Sequence, residues 1–186
     1  HYPIHLDIGS AKGEFLIELA IKFPNWNFLG LEIREQLVSA ADRKRKQLGL
    51  QNLRFLYCNV NISLDEWLSD LDRDQLKRVS IQFPDPWFKR KHLKRRVLKK
   101  SLLSSIASAM SHNGELFIQS DILKLIEYMS SVIDDNIYFD RKFVKGLKYL
   151  EENPYEVSTD RELFVLKQNL PIYRAMYIRN STLFIS

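Results

Sequence analysis

The sequence predicts an α/β fold: a doubly wound, mostly parallel sheet with helices on both faces. Three observations predict it. Strand-like and helix-like apolar patterns alternate five times in succession between Ile4 and Val132, and five β-then-α units in a row give parallel strands joined by crossover helices. A glycine turn, Gly9 to Gly13, closes the first strand and opens the first helix. After Asn136 the pattern changes, and two more strand-like runs bring the sheet to seven strands.

Taken in order, Ile4–Ile8 reads as a buried strand, and Glu14 to Lys22 as a helix with Phe15, Leu16, Leu19 and Ala20 at helical spacing. Asn27–Glu32 is the second strand. Glu35 to Leu48 is a helix with a basic face, and Gly49 is placed to cap it. Leu53–Cys58 is the third strand and Leu64 to Leu71 a short helix. Arg78–Phe83 is the fourth strand, followed by a helix from Arg96 to Met110 that stops at Asn113-Gly114. Glu115–Gln119 is the fifth strand, with a helix from Ile122 to Val132. The last part reads as strands Ile137–Val144 and Ile172–Arg179 around a helix from Asp160 to Gln168.

With 186 residues and 45% hydrophobic content, residues 1–186 are expected to form one domain around one core. No apolar stretch approaches the ~20 residues of a membrane span. The one cysteine, Cys58, gives no disulfide framework, reads as a core thiol, and suits a reducing, cytoplasmic setting. Position 1 is His and the first strand starts at Ile4, so a native segment is expected to precede it. The four histidines, at 1, 5, 92 and 112, have no metal-ligand spacing, so no metal is implied. Charge is unevenly placed. Of 28 Lys and Arg residues, eight lie between Lys89 and Lys100 with no acid among them, which leaves the rest of the chain mildly acidic. Such a patch favours a polyanion at one defined place.

In a sheet of this kind ligands bind beyond the carboxyl ends of the strands. The turn Asp7-Ile8-Gly9-Ser10-Ala11-Lys12-Gly13 sits there. Gly9 permits a tight bend and Gly13 a close approach of helix to strand. Glu32 ends the second strand, 19 residues after Gly13, where a carboxylate can bind both hydroxyls of a ribose. A nucleoside ligand follows. Ala11 occupies the second glycine position that a dinucleotide's pyrophosphate needs, so S-adenosylmethionine, which has no phosphate, is favoured. Asn59 reads equally as an adenine contact and as a loop cap.

The most informative stretch is Phe83-Pro84-Asp85-Pro86-Trp87-Phe88-Lys89-Arg90-Lys91-His92-Leu93-Lys94-Arg95-Arg96. Two prolines stiffen the end of the fourth strand and fix Asp85. Trp87 offers a face for base stacking, and the basic run offers phosphate contacts. Separately, these are a rigid turn and a solvated charged face; joined at one strand end they point to nucleic acid chemistry. Phe83 to Trp87, then Lys89, then Lys94-Arg95-Arg96, resembles the signature of the bacterial tRNA (guanine-N7-)-methyltransferases. Asp7-Ile8-Gly9 through Gly13, Leu29 to Glu32, Asn59, Ser120-Asp121 and Thr159 to Glu162 fall in that family's order, so the resemblance covers nearly the whole chain.

The resemblance implies the Rossmann-like, seven-stranded, class I methyltransferase fold, S-adenosyl-L-methionine as cofactor, and a guanosine in the tRNA variable loop as substrate. It implies cofactor contacts from Asp7, Glu32, Asn59 and Asp85, beside Gly9 and Gly13 of the turn. Substrate contacts are implied for Lys89, Asp121, Thr159, Asp160, Arg161 and Glu162, and RNA contacts for Lys91, His92, Lys94, Arg95 and Arg96. Arg161 stands where the family often has an aromatic. Thr159 to Glu162 also reads as a capping box and Asp121 as an N-cap. Asp85 is the expected catalytic group: guanine N7 has an in-plane lone pair and needs no general base, so a carboxylate serves to bind the base and follow its growing positive charge. Two other readings stand beside this one: a methyltransferase for another RNA base, and a non-catalytic RNA-binding module.

Overall fold

In the computed structural model, which describes residues 2–69, 71, 72, 74–143 and 146–182, seven strands form one sheet in the order β3-β2-β1-β4-β5-β7-β6. The strands are β1 (Ile4–Ile8), β2 (Asn27–Glu32), β3 (Leu53–Tyr57), β4 (Leu76–Gln82), β5 (Met110–Ser120), β6 (Phe139–Lys142) and β7 (Tyr173–Arg179). β1 to β5 pair in parallel, while β7 runs antiparallel to both β5 and β6. The fold class read from the sequence is the one observed. His1, Asp70 and Val144, which fell within the sequence reading, lie outside the described residues.

Among the described residues six helices cover the sheet: α1 (Glu14–Lys22), α2 (Glu35–Gln47), α3 (Val60–Ser69), α4 (Lys100–Ala109), α5 (Leu123–Asp134) and α6 (Asp160–Lys167). Side chains alternate between faces along each strand, so the apolar residues divide into two layers. Leu116, Ile118 and Tyr177 pack with Leu64, Leu102, Ile106, Ile126 and Ile133 from α3, α4 and α5. Phe28, Phe55, Phe117 and Met176 pack with Phe15, Leu16, Leu19 and Ala41 from α1 and α2. α1 carries Glu14 in its first turn and Lys22 in its last, as the helix dipole favours. Gly49 follows α2 at φ 67°, the left-handed C-terminal cap expected of it.

Several element bounds differ from the sequence reading, and three of the differences have a clear local reason. α3 starts at Val60 rather than Leu64, because Asn59 Oδ1 accepts from Asn61 N at 3.2 Å and its carbonyl accepts from Ile62 and Ser63. α4 starts at Lys100 rather than Arg96, because side chains take the carbonyls before it: Asn61 Nδ2 donates to Val97 O and Tyr128 Oη to Leu98 O, both at 3.1 Å. α4 also ends before Asn113-Gly114. Met110 pairs with Leu76 and Glu115 with Arg78, so Asn113, at φ 62°, lies in an irregularity inside β5 and ends no helix.

Candidate active site

The strand order reverses direction between β1 and β4, and the ends of these two strands open a crevice there. It is a cavity of about 390 Å³ lined by Asp7 and the turn Gly9 to Phe15, Arg34 after β2, Gln82 to Pro86 after β4, Asp121 and Ile122 after β5, and Thr159 to Arg161 at the start of α6.

The turn after β1 is pinned to β2. Gly9 N and Ser10 N both donate to Leu31 O, at 2.8 and 3.0 Å. Gly9 and Gly13 have φ of 86° and 78°, and a Cβ on Gly13 would come within 2.4 Å of the Phe55 ring. At Gly9 the left-handed backbone alone disfavours a side chain, and at Gly13 both the backbone and the Phe55 ring do. Ser10 lines the cavity, but its hydroxyl is buried on the Gly30 side and has no hydrogen-bond partner among the described residues. Ala11, at φ 48°, stands where a pyrophosphate cradle needs glycine.

Asp7 is buried at 4% exposure and lines the cavity. Ser80 Oγ and Gln82 Nε2 both donate to its Oδ1, at 2.6 and 3.2 Å, which leaves Oδ2 for a ligand. Burial pushes the carboxyl up to about 6; those two bonds oppose the rise, and the charge of Glu32 adds to it. Glu32 sits behind the lining. Its carboxylate accepts from Ala11 N, from Arg34 N and from the Arg34 guanidinium, all at 3.0–3.3 Å. It thus fastens the turn to β2 and holds Arg34, whose side chain is 65% exposed and lies on the cavity side.

Asp85 is exposed on the turn after β4. Phe83 and Trp87, on either side of Pro84-Asp85-Pro86, take left-handed φ of 45° and 41°. Bulky residues rarely adopt that geometry, and it concentrates at functional turns. Phe83 N donates to Gln119 O at 2.8 Å and Arg96 Nε to Pro86 O at 3.2 Å, which fixes both ends of the turn. The charge of Asp85 also favours the charged form of Arg34, next to the larger contribution of the Glu32 bond. Across the cavity, Asp121 Oδ2 accepts from Arg161 Nη2 at 2.6 Å, and the Arg161 guanidinium lies 5.4 Å from the centre of the Phe164 ring.

The residue 1–175 span matches a family described as "Putative methyltransferase". A tRNA (guanine-N(7)-)-methyltransferase of Prochlorococcus marinus strain NATL1A is 72% identical over 99% of this chain and 86% of its own length. One from strain MIT 9313 is 54% identical over 96% of this chain and 75% of its own. The chain belongs to the tRNA (guanine-N7-)-methyltransferase family. In fold it is similar to an rRNA methylase from Streptococcus thermophilus, with a TM-score of 0.60 at 14% identity, over 97% of this chain and 88% of that one.

In this family member the cavity gathers Asp7, Gly9, Gly13, Asp85, Asp121, Thr159, Asp160 and Arg161. It does not gather Asn59, Lys89 or Glu162. Asn59 caps α3. Asp121 does not cap α5; Ser120 Oγ accepts from Ile122 N instead. Thr159 caps α6 by accepting from Glu162 N at 3.1 Å. Glu162, expected at the substrate, is 1% exposed and committed behind the lining: it accepts from Arg174 Nη2 and Asn153 Nδ2 at 2.7 Å and from Gln119 Nε2 at 3.2 Å. The basic run forms a 3₁₀ helix, Arg90–Arg95, beside the cavity and carries Lys91, Lys94 and Arg95 exposed. One face of Trp87 is already covered, with Arg95 5.0 Å over its ring and His92 edge-on at 5.5 Å. Arg96 stacks 4.2 Å from the Tyr128 ring. The sequence reading missed Arg34, Gln82 and Gln119. For Arg34 a signal existed, its place directly after the end of β2; the glutamines carry no charge and no motif.

Proposed function

We propose that this cavity transfers a methyl group from S-adenosyl-L-methionine to N7 of a guanosine in the variable loop of tRNA, with Asp85 as the catalytic residue. The observation that carries the reading is the rigid turn of Asp85. It joins the cofactor end of the sheet to an exposed cationic helix within one stretch of chain. When bound, the cofactor supplies an electrophilic methyl on a sulfonium. The turn Gly9 to Gly13, with Asp7 and Glu32 beside it, holds the nucleoside and amino acid parts. Asp85 accepts from the N–H groups of the guanine Watson–Crick edge and stabilises the positive charge that grows on the purine. No side chain has to take a proton, because N7 carries none; alignment does the rest. Thr159, Asp160 and Arg161 border the base, and Lys91, Lys94 and Arg95 meet the phosphates.

Residues 1–186 act as one methyltransferase domain, and a reducing cytoplasmic setting fits both a tRNA substrate and the unpaired Cys58. No helix among the described residues is long and apolar enough to cross a membrane, and no group of three His, Cys, Asp or Glu side chains there could hold a metal ion. The test is to incubate unmodified tRNA with the protein and S-adenosylmethionine and to analyse the nucleosides by mass spectrometry. 7-Methylguanosine in the variable-loop fragment is expected; a methyl on any other base, or none, overturns the reading.

A further inference from the structure

A buried network of hydrogen bonds links α6, on the substrate side, to Asp7, on the cofactor side, and from Arg174 through Gln119 and Gln82 to Asp7 every bond points one way. Arg174 of β7 carries donors only. Its Nε donates to Gln119 Oε1 at 3.2 Å and its Nη2 to Glu162 Oε1 at 2.7 Å. Gln119 must therefore turn its amide nitrogen away from Arg174. That nitrogen donates to Gln82 Oε1 at 2.7 Å and to Glu162 Oε2 at 3.2 Å. Gln82 then has only its own nitrogen left for Asp7, and donates to Oδ1. Flipping either amide would set oxygen against oxygen at Asp7 or N–H against N–H at Arg174. None of Arg174, Glu162, Gln119, Gln82 and Asp7 is more than 9% exposed, so water does not replace a lost partner. On the other side of Asp7, Ser80 Oγ donates to the carboxylate and so accepts from His5 Nε2 at 2.9 Å.

We propose that Gln82 and Gln119 are positioning residues: a one-way relay through which the Arg174–Glu162 ion pair that anchors α6 holds Asp7 oriented and charged for the cationic amino group of the cofactor. This rests on placing the cofactor against Asp7. The relay ties the two halves of the site together. Glu162 belongs to the same helix as Asp160 and Arg161, so RNA that shifts α6 is felt at Asp7, and any effect of tRNA on cofactor affinity is matched by the same effect of cofactor on tRNA affinity. Two glutamines that merely filled the core would be replaceable by methionine, which has nearly the same volume and no amide.

The experiment uses Gln82→Met, Gln119→Met and Asp7→Asn, with thermal unfolding to verify the fold. Two readouts are taken: the titration of the Asp7 carboxyl carbon by NMR in ligand-free protein, and the pH profile of S-adenosylhomocysteine affinity by calorimetry. The groups that face Asp7 are Ser80 and Gln82 of β4, Glu32 of β2, His5 of β1 through Ser80, and Tyr155 by its electrostatic influence. His5 itself is held at about 3 by burial and by Arg78, so it stays neutral through the titration. Removing the Gln82 donor leaves burial and the Glu32 charge opposed only by Ser80. The Asp7 midpoint moves up from about 6, and affinity at neutral pH falls roughly tenfold. The deciding variant is Gln119→Met, which alters no group that touches Asp7 and moves the midpoint in the same direction by less. A folded Gln119→Met protein with an unmoved midpoint overturns the relay. Should Gln119→Met fail to fold, an unmoved midpoint in Gln82→Met does the same. Unchanged cofactor affinity in Asp7→Asn instead overturns the placement of the cofactor at Asp7 and leaves the relay's titration result standing.

Discussion

Asp85 and Glu32 are both carboxylates at strand ends, yet their surroundings assign them different work. Asp85 is exposed on a turn held by two left-handed aromatics, free to meet a substrate. Asp85→Asn keeps the shape and removes the charge, so single-turnover methylation should fall about a hundred- to a thousandfold, with cofactor affinity little changed. The remaining rate should show no new dependence on pH near neutrality, since N7 needs no base. A rate within a fewfold of the parent would remove Asp85 from the chemistry. Glu32 is already bonded to Ala11 and Arg34, so truncating it would loosen the turn as well as remove the proposed ribose contact. Glu32→Gln is the cleaner variant. It should weaken S-adenosylhomocysteine binding by about tenfold in calorimetry while the melting temperature stays close to that of the parent. These two residues, with Asp7 and Gly9, were legible because packing alone seldom puts a carboxylate or a glycine at the end of a buried strand. Gln82, Gln119 and Arg174 were not: a relay of neutral amides depends on which strands lie side by side, and the sequence states no strand order.

The basic run shows what the sequence says about an element and what it leaves open. Its charge and place were legible; its conformation was not, since the helix expected from Arg96 begins only at Lys100, after an extended link, and a 3₁₀ helix, Arg90–Arg95, precedes that link. The link exists because Asn61 and Tyr128, distant in sequence, take the carbonyls of Val97 and Leu98. The structure also divides the run by role. Lys91, Lys94 and Arg95 are exposed, whereas Arg96 donates to Pro86 O and stacks on Tyr128. Replacing Lys91, Lys94 and Arg95 together by Ala should weaken tRNA binding and flatten the log–log salt slope by about 2 to 3, at ~0.7–0.9 per phosphate contact, without changing cofactor affinity. Arg96→Ala should do the reverse. It leaves the salt slope nearly intact and slows methyl transfer, because the turn that carries Asp85 loses one of its two fastenings. Filter-binding across a salt series separates the two; equal slopes in the triple variant and the parent would place the RNA elsewhere.

At the scale of the whole molecule, the pH dependence of stability is set by two buried groups of opposite tendency that meet at one serine. His5 and Asp7 share β1, and both bond Ser80 Oγ. Asp7 titrates near 6 in the folded chain against 3.8 as a free group, so on acidification the folded protein takes this proton before the unfolded chain does. Its ionised form costs stability above pH 6, and that cost is relieved between pH 6 and 4, by roughly 3 kcal/mol at ~1.4 kcal/mol per unit. His5 titrates near 3 against 6.5, so below pH 6.5 the unfolded chain takes the proton first, and stability is lost steadily down to pH 3. Between pH 6 and 4 the two slopes oppose, and the midpoint of urea unfolding should stay nearly level. Below pH 4 the Asp7 gain is spent while the His5 loss continues, joined by that of Asp42, whose carboxyl is held low by Lys46 and Arg45, and the midpoint should fall. Two variants separate the contributions. His5→Gln keeps a donor toward Ser80 and removes the titration, so the gain from Asp7 is unmasked and the midpoint should rise as pH drops from 6 to 4. Asp7→Asn removes the opposing slope, so the midpoint should fall throughout that window, while at pH 7 to 8 the ligand-free variant should be more stable than the parent. That last result follows from function: a carboxylate kept buried and charged for a cationic ligand costs the empty fold stability. Urea unfolding of the three proteins at half-unit steps of pH is the measurement, and a His5→Gln curve parallel to the parent's would show that the histidine does not carry the acid sensitivity.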